Sequence, residues 1–364
     1  MGATSSPETL CDIVVPIWNQ PELTRRCLES VLARTAEPVR LILVDNGSET
    51  PTRELLERFR ENNRGVVEIL RNEKNLGFIQ GVNQGIRAGK APWVCLLNND
   101  TVVTNGWLSE MIRVAENDPG VGLVNPTSNC MGYPAQGLPS EEIARRLAAE
   151  RGKSASLSTA IGFCLLARRS LFEKVGLLDE QFGMGNFDDN DLTLRVRQAG
   201  LKPVRAMAAY VHHEEKASFR NLPGWRKAFD ENRKRFEKKW GRHLRILWAL
   251  PGAPAGWPET FGKTARDLAD RGHWIAFISP EPLPDFIAAQ AQISRIDSKG
   301  GSWRLPALWR LLVRRRKPFH LVITHDHRWA GWVEGLRWFH RARLLAHPTQ
   351  NELMEQCQAL ARPQ

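Results

Sequence analysis

The 364 residues predict an α/β protein of two domains, and three observations carry that prediction. Short β-branched runs alternate with stretches of helical periodicity, the runs are apolar on both faces, and the whole pattern starts afresh after Gly241. Strands that are apolar on both faces and separated by helices belong to a mostly parallel sheet covered on each side. A chain of this length also exceeds a single hydrophobic core. The division is therefore expected at 241, with residues 1–241 as the first domain and 242–364 as a smaller Rossmann-like α/β domain.

The elements follow in order. Asp12-Ile13-Val14-Val15-Pro16-Ile17 reads as a strand, and residues 21–33 carry apolar side chains at helical spacing. Arg40 to Asp45 repeats the strand signature, Asn46-Gly47-Ser48 makes a turn, and Pro51 opens a helix that ends near Asn63. A strand at 66–70, a helix at 78–88 and a strand at 93–97 continue the alternation. From 126 to 153 the pattern loosens around Pro134, Gly137 and Pro139, as in loops that shape substrate pockets. Residues 160–167 restore a strand, 170–175 a short helix, 187–199 a helix with an acidic start, and 204–211 a strand. Leu222, Trp225, Phe229, Phe236 and Trp240 fit one face of a closing amphipathic helix. The second domain shows strands at 244–250, 273–279, 293–296 and 320–324, with helices at 259–271 and 305–315. Within the last helix, Trp309, Leu312 and Val313 followed by Arg314-Arg315-Arg316 admit two readings. One is an interfacial membrane helix; the plainer and preferred one is a core helix whose basic end complements its dipole.

A formal net charge of +11 favours an acidic partner: nucleotide diphosphates, anionic lipid or nucleic acid. No homeodomain, zinc-finger or RNP-type motif accompanies the charge, so nucleic acid is not expected. The six cysteines form no CxxC pair and several sit in apolar runs, which marks them as reduced core residues. Residues 1–7 lack an apolar signal core, and no apolar run approaches the ~20 residues that span a bilayer. A cytoplasmic protein is expected, at most peripheral at the inner face of the membrane.

Ligands of such sheets bind at the carboxyl ends of the strands, and the polar motifs fall there. Asp45 ends a strand ahead of a turn that is expected to leave its carboxylate exposed, although Asp is also simply favoured in turns. Asn98-Asn99-Asp100 follows the apolar run 93–97, and a hard divalent cation needs only one or two carboxylates beside phosphate oxygens. Asp188-Asp189-Asn190-Asp191 opens a helix. Capping and the helix dipole account for part of this, but three carboxylates in four residues repel one another, as at catalytic sites. His212 and His213 end the strand at 204–211, where imidazole serves structure or a metal.

In this order the segments resemble glycosyltransferase family 2, inverting enzymes of GT-A fold. The matching stretches are Ile13-Val14-Val15-Pro16-Ile17-Trp18-Asn19, Leu43-Val44-Asp45-Asn46-Gly47-Ser48, Asn75-Leu76-Gly77-Phe78 with Asn83-Gln84-Gly85, the run from Leu96 to Thr101, and that from Phe187 to Arg195 with His212-His213. The resemblance implies that Pro16, Trp18, Asn19, Asn75, Gly77 and Asn83 line the donor site and that Asp45 binds the base. Asn98 would stand where the first acid of a DxD motif lies near the ribose, with Asn99 beside it. Asp100 would hold Mn or Mg, and His213 or His212 the distal side of that metal. Asp189 would be the general base, with Asp188 its acidic companion, and Asp188 and Asp191 would meet the acceptor. The donor would be a UDP-, dTDP- or GDP-sugar, and the acceptor a saccharide, lipid-linked or protein hydroxyl in cell-surface polysaccharide or glycoconjugate synthesis. The chain lacks the Gln-x-x-Arg-Trp motif of processive synthases, which favours transfer of a single sugar. With Asn at 98 and 99 the metal site is short of charge, so metal should bind weakly without nucleotide. A nucleotidyltransferase and a non-catalytic nucleotide-sugar-binding scaffold remain the alternatives. Residues 242–364 resemble, through Arg245-Ile246-Leu247-Trp248, Gly256, Arg271-Gly272-His273 and Ile323-Thr324-His325-Asp326, the amino-terminal domain of a family 4 glycosyltransferase of GT-B fold. That module would serve the acceptor side or docking.

Overall fold

The computed structural model describes residues 8–133, 137–214, 224–250, 256–279, 282–284, 287, 291–297, 303–313 and 318–362. The chain forms two compact units, Met1–Arg233 and Lys234–Gln364.

In the first unit, β1 (Cys11–Ile17), α1 (Pro21–Arg34), β2 (Val39–Asn46), α2 (Thr50–Asn62), β3 (Val67–Asn72), α3 (Phe78–Ala88) and β4 (Trp93–Leu97) form the alternating half. Ile13, Val14 and Val15 are all fully buried, so β1 is covered on both faces. The helix α3 lies very close to it: a Cβ on Gly85 would clash with Val14 Cγ1. There follow β5 (Thr101–Val103), α4 (Trp107–Asn117), β6 (Val121–Thr127), α5 (Ser140–Leu147), β7 (Ser154–Ser156), β8 (Cys164–Arg168), α6 (Arg169–Val175), α7 (Asp188–Gln198), β9 (Lys202–His213) and α8 (Trp225–Trp240), the last of which runs on into the second unit. The sheet order is β3-β2-β1-β4-β8-β6-β9-β5, with β7 paired to β9. Strands β1 to β4 pair in parallel, as do β6 and β9, while β8 is antiparallel to both β4 and β6. The sheet is mostly parallel, as expected, with one reversed strand at its centre and β5 and β7 reversed against β9.

The second unit holds β10 (Arg245–Ala249), α9 (Trp257–Asp270), β11 (Trp274–Ser279), β12 (Ile293–Asp297), α10 (Arg304–Leu312), β13 (Leu321–Thr324), α11 (His327–Gly335), α12 (Arg337–His340), β14 (Arg343–Ala346) and α13 (Gln350–Ala361). Its five strands are all parallel in the order β12-β11-β10-β13-β14. Leu247 and Val322 face one apolar layer with Ala307, Leu311, Trp329 and Val333, and Ile246 and Ile323 face the other. The sequence reading lacks β14 and α13, although Thr349 and Glu352 form a complete capping box at the start of α13. It also places α10 as a core helix, which holds for Ala307 and Leu311; Leu305, Trp309 and Val313 are exposed on the opposite stripe. Arg314 to Arg316, like Leu222 of the expected closing helix, lie outside the described residues.

Candidate active site

The loops after β1 and β2 are tied together at the carboxyl rim of the first sheet. Asn19 and Gln20 both adopt left-handed backbone, φ 57° and 59°, which turns the chain sharply after Trp18. The Asn19 amide N donates to Ser48 Oγ at 2.9 Å, and Asn19 Oδ1 accepts from the Glu49 amide at 2.8 Å. Trp18 is exposed beside this knot.

Asp45 is not exposed above the sheet as the turn suggested: it is buried, Oδ1 accepts from the Ser48 amide at 2.9 Å, and Oδ2 pairs with Arg71. Arg71 is its register partner on β3 and also donates to Ser48 O at 3.0 Å. The carboxylate thus stiffens the turn and brings a guanidinium to the rim. The neighbouring Asn46 accepts from Asn72 and the Leu76 amide and donates to Asn75 and Gly77 O, so Asn75 and Gly77 belong to a loop held by amide-to-backbone bonds. Asn83, expected against the donor, is buried with its amide on the Leu178 backbone at 2.9 and 3.1 Å and on Glu180 at 3.0 Å. These contacts give it a scaffolding part.

Asp100 ends the turn that follows β4, where the Asn99 side-chain amide donates to Thr24 Oγ1 at 2.9 Å and the Asn98 backbone N–H to Phe163 O at 2.8 Å. Antiparallel pairing of β5 with β9 sets Thr101 opposite His213 and Val102 opposite His212. Side chains alternate across a strand, so the two histidines face opposite ways, and it is His213 whose Nε2 lies 3.2 Å from Asp100 Oδ1. Burial pulls the imidazole pKa down, but the bonds to Asp100 and to Cys130 outweigh it and raise the value to about 9. The ring also stacks on Phe163 with centroids 5.0 Å apart.

The acidic start of α7 contains three aspartates in unlike surroundings. Asp191 is fully buried and pairs with Arg195 at 2.8 Å, and Arg195 in turn donates to Val175 O and Gly176 O. This pairing pins α7 to the end of α6. Asp188 is buried, and loss of hydration, reinforced by the charges of Asp189 and Asp191, pushes its pKa well above the ordinary carboxylate value. Asp189 is half-buried and also shifted upward by burial, with backbone bonds from Asn190 and Gly162 as partial compensation. Ahead of the helix, Asn186 and Phe187 both hold left-handed backbone, φ 72° and 70°. An aromatic residue rarely adopts this conformation, and such outliers cluster at functional sites. Asn232 of α8 fastens the preceding loop through Phe182 O and Gly185 O at 2.7 and 2.9 Å.

One short segment joins the two acidic places. The Gly162 backbone lies close enough to Asp189 to lower its proton affinity, and the next residue, Phe163, stacks on His213 and accepts from the Asn98 backbone N–H. Asn125, fully buried, clamps this segment through Ile161 O at 2.7 Å and the Ile161 amide at 2.9 Å. Sequence reading missed Asn125, Gly162, Phe163 and Arg71. An Asn inside the otherwise apolar β6 was the one available signal.

Among the described residues no group of three or more His, Cys, Asp or Glu is placed to hold a metal ion. Asp100 and His213 offer one carboxylate and one imidazole, 3.2 Å apart. A hard divalent cation that takes its other ligands from phosphate and water fits such a pair, provided His213 gives up the proton it shares with Asp100.

Residues 12–176 match the model of the family Glycosyl transferase family 2. The match lies within the first unit and covers 165 of the 364 residues. The chain is 29% identical over 257 residues to the uncharacterized protein y4gI of Sinorhizobium fredii, covering 64% of this chain and 28% of that protein. It is 25% identical over 240 residues to the uncharacterized glycosyltransferase EpsJ of Bacillus subtilis, covering 63% and 68%. It is 30% identical over 118 residues to the glycosyltransferase GlyG of Streptococcus pneumoniae, covering 32% and 38%. The chain thus spans well under half the length of the first and third of these relatives. Among solved structures, a mannosyltransferase of Pyrobaculum calidifontis in complex with GDP-Man and Mn2+ is similar at a TM-score of 0.48 and 17% identity, over 63% of each chain. The S. aureus protein TarS, residues 1-349, in complex with UDP-GlcNAc is similar at 0.49 and 13% identity, over 64% and 66%. The family match ends at residue 176; the family 4 resemblance of the second unit rests on its motifs alone.

Proposed function

We propose that the first unit transfers one sugar from a nucleoside-diphosphate donor to an acceptor hydroxyl with inversion at the anomeric carbon. The observation that carries the reading is the Asp100–His213 pair, 3.2 Å apart, whose imidazole stacks on Phe163, the residue after the Gly162 backbone that borders Asp189.

Asp189 acts as the general base. Burial raises its proton affinity, and its backbone donors hold the carboxylate in place. The acceptor oxygen forms the new bond to the anomeric carbon as its proton passes to Asp189, and the electron pair of the broken bond leaves on the diphosphate. Asp188 keeps a proton at neutral pH, because two charges side by side in a desolvated place are costly. The pair thereby carries about one negative charge, and Asp189 is the member nearer solvent.

Asp100 and His213 are the residues that would hold Mn or Mg, and when bound that ion supplies a Lewis acid for the charge growing on the diphosphate. Trp18, Asn19 and the Arg71 guanidinium line the rim where the nucleoside would lie, with Asp45 acting through Arg71 and the 45–48 turn. Donors of the UDP, dTDP or GDP type and a saccharide, lipid-linked or protein acceptor suit this rim.

The test is a panel of nucleotide sugars with Mn, scored for nucleoside diphosphate release and for the anomeric configuration of the product by NMR. Release that depends on acceptor and disappears in Asp189→Asn supports the proposal. Donor binding without release would make the chain a binding scaffold, and formation of nucleoside triphosphate and sugar 1-phosphate when pyrophosphate is added would make it a nucleotidyltransferase. Titration of UDP and GDP with and without Mn, followed by calorimetry, reads the metal site independently: Asp100→Ala should abolish the Mn-dependent gain in affinity.

A further inference from the structure

The second unit exposes large apolar side chains in one neighbourhood. Leu305 and Trp309 on α10 are 64% and 69% exposed, and Trp338 and Phe339 on α12 are 74% and 60% exposed. The helix α12 touches both α10 and α11, and α11 adds the exposed Trp332. Trp338 and Phe339 lie against each other with ring centroids 4.2 Å apart, presenting a joint aromatic surface. None of this is needed for the core: the inner faces of α10 and α11 already fill it with Ala307, Leu311, Trp329 and Val333.

The same stretch is the most basic part of the chain. Residues 303–347 contain ten Arg or Lys against two acids, Asp326 and Glu334, which makes +8 of the net +11. Asp326 is already paired with Arg304, and Glu334 with Arg337. Indole and phenyl rings beside aliphatic side chains, in a stretch of sequence rich in arginine, match the boundary between lipid headgroups and acyl chains. Each basic residue near an anionic leaflet contributes attraction that falls off within a Debye length. Nucleic acid shares the charge complementarity and stacks on aromatics, but Leu305 and Val313 have nothing to gain from a base.

We propose that the α10–α12 face docks the protein on an anionic phospholipid bilayer, with Trp309, Trp338 and Phe339 entering the headgroup layer and the arginines meeting lipid phosphates. The inference is independent of glycosyl transfer and stands or falls on lipid binding alone. On this proposal α10 packs as a core helix, as the sequence favours, and presents an interfacial face as well.

Cosedimentation of the full chain with vesicles tests this. Vesicles of phosphatidylcholine and phosphatidylglycerol in equal parts should pellet the protein, pure phosphatidylcholine at least tenfold less, and 0.5 M NaCl should release most of it. Trp309→Ala/Trp338→Ala/Phe339→Ala should lower partitioning at least tenfold, with an unchanged thermal melt because all three side chains are exposed. Arg337→Glu/Arg341→Glu, a second variant at exposed positions, should lose binding to the anionic vesicles while matching the wild type on neutral ones. The proposal is overturned if neither vesicle binds, if both bind equally, if both variants partition like wild type, or if a single-stranded oligonucleotide binds more tightly than the anionic vesicles and through the same three aromatics.

Discussion

Asp12 and Asp188 belong to the same unit and are both buried, yet their surroundings are opposite. Asp12, near the start of β1, accepts from Arg40 at 2.9 Å, from Arg169 at 2.7 Å and from the Ala91 amide at 2.8 Å. Asp188, at the start of α7, faces two further carboxylates and is pushed toward its neutral form. A buried charge with full partners ties elements together; a buried carboxyl without a cation stores proton affinity that chemistry can use. Burial alone distinguishes nothing, and partners decide which acid is scaffold and which is site.

The comparison breaks most decisively at the neighbour of Asp188. Asp189→Asn should lower kcat by about 10²–10⁴-fold while leaving the thermal melt near wild type, measured as nucleoside diphosphate release per folded protein. Asp12→Ala should do the reverse. It leaves two guanidinium groups without their shared carboxylate and should cost about 3–5 kcal/mol in urea denaturation, with activity per folded molecule unchanged. Asn83→Ala tests whether that amide is scaffold as its bonds to Leu178 indicate: about 1–3 kcal/mol lost, and little change in donor affinity by calorimetry. The smallest effect concerns pH. Because the folded state holds the Asp188 proton that the unfolded chain releases near pH 4, its contribution is full below that pH and is lost as pH rises through the raised native value. Asp188→Asn, neutral throughout, should therefore gain on wild type in thermal melts at about pH 9 relative to about pH 4, with about 2–4 °C for each kcal/mol.

Much of this was legible in the chain, and the gaps have physical causes. Strands β1, β2 and β4 announce themselves because both faces are buried, leaving continuous apolar runs. The strand β6 hides because Asn125 and Pro126 interrupt its run, and β5 is three residues long. The direction of β8 is invisible, since an antiparallel strand buried on both faces has the same composition as a parallel one. Asp100 and the Asp188-Asp189 pair stand out by their place at element ends. Which histidine faces Asp100 depends on the register of β5 against β9, and the burial of Asp45 depends on Arg71 arriving from another strand. Both are long-range pairings, which local patterning does not encode. Asp191 looks like its neighbours in sequence and differs only because Arg195, one helical turn on, takes its charge.

The Gly162-Phe163 step sets a limit on how this domain can diversify. Since Gly162 borders Asp189 and the adjacent Phe163 stacks on the imidazole beside Asp100, adding or deleting a residue there shifts one neighbour off its place while the other is kept. Loop length is the usual currency of new specificity, and here it is frozen between Asn125's grip on Ile161 and the first residue of β8. If the proposed transfer holds, new sugar preferences would arise by substitution elsewhere on the rim rather than by remodelling this span.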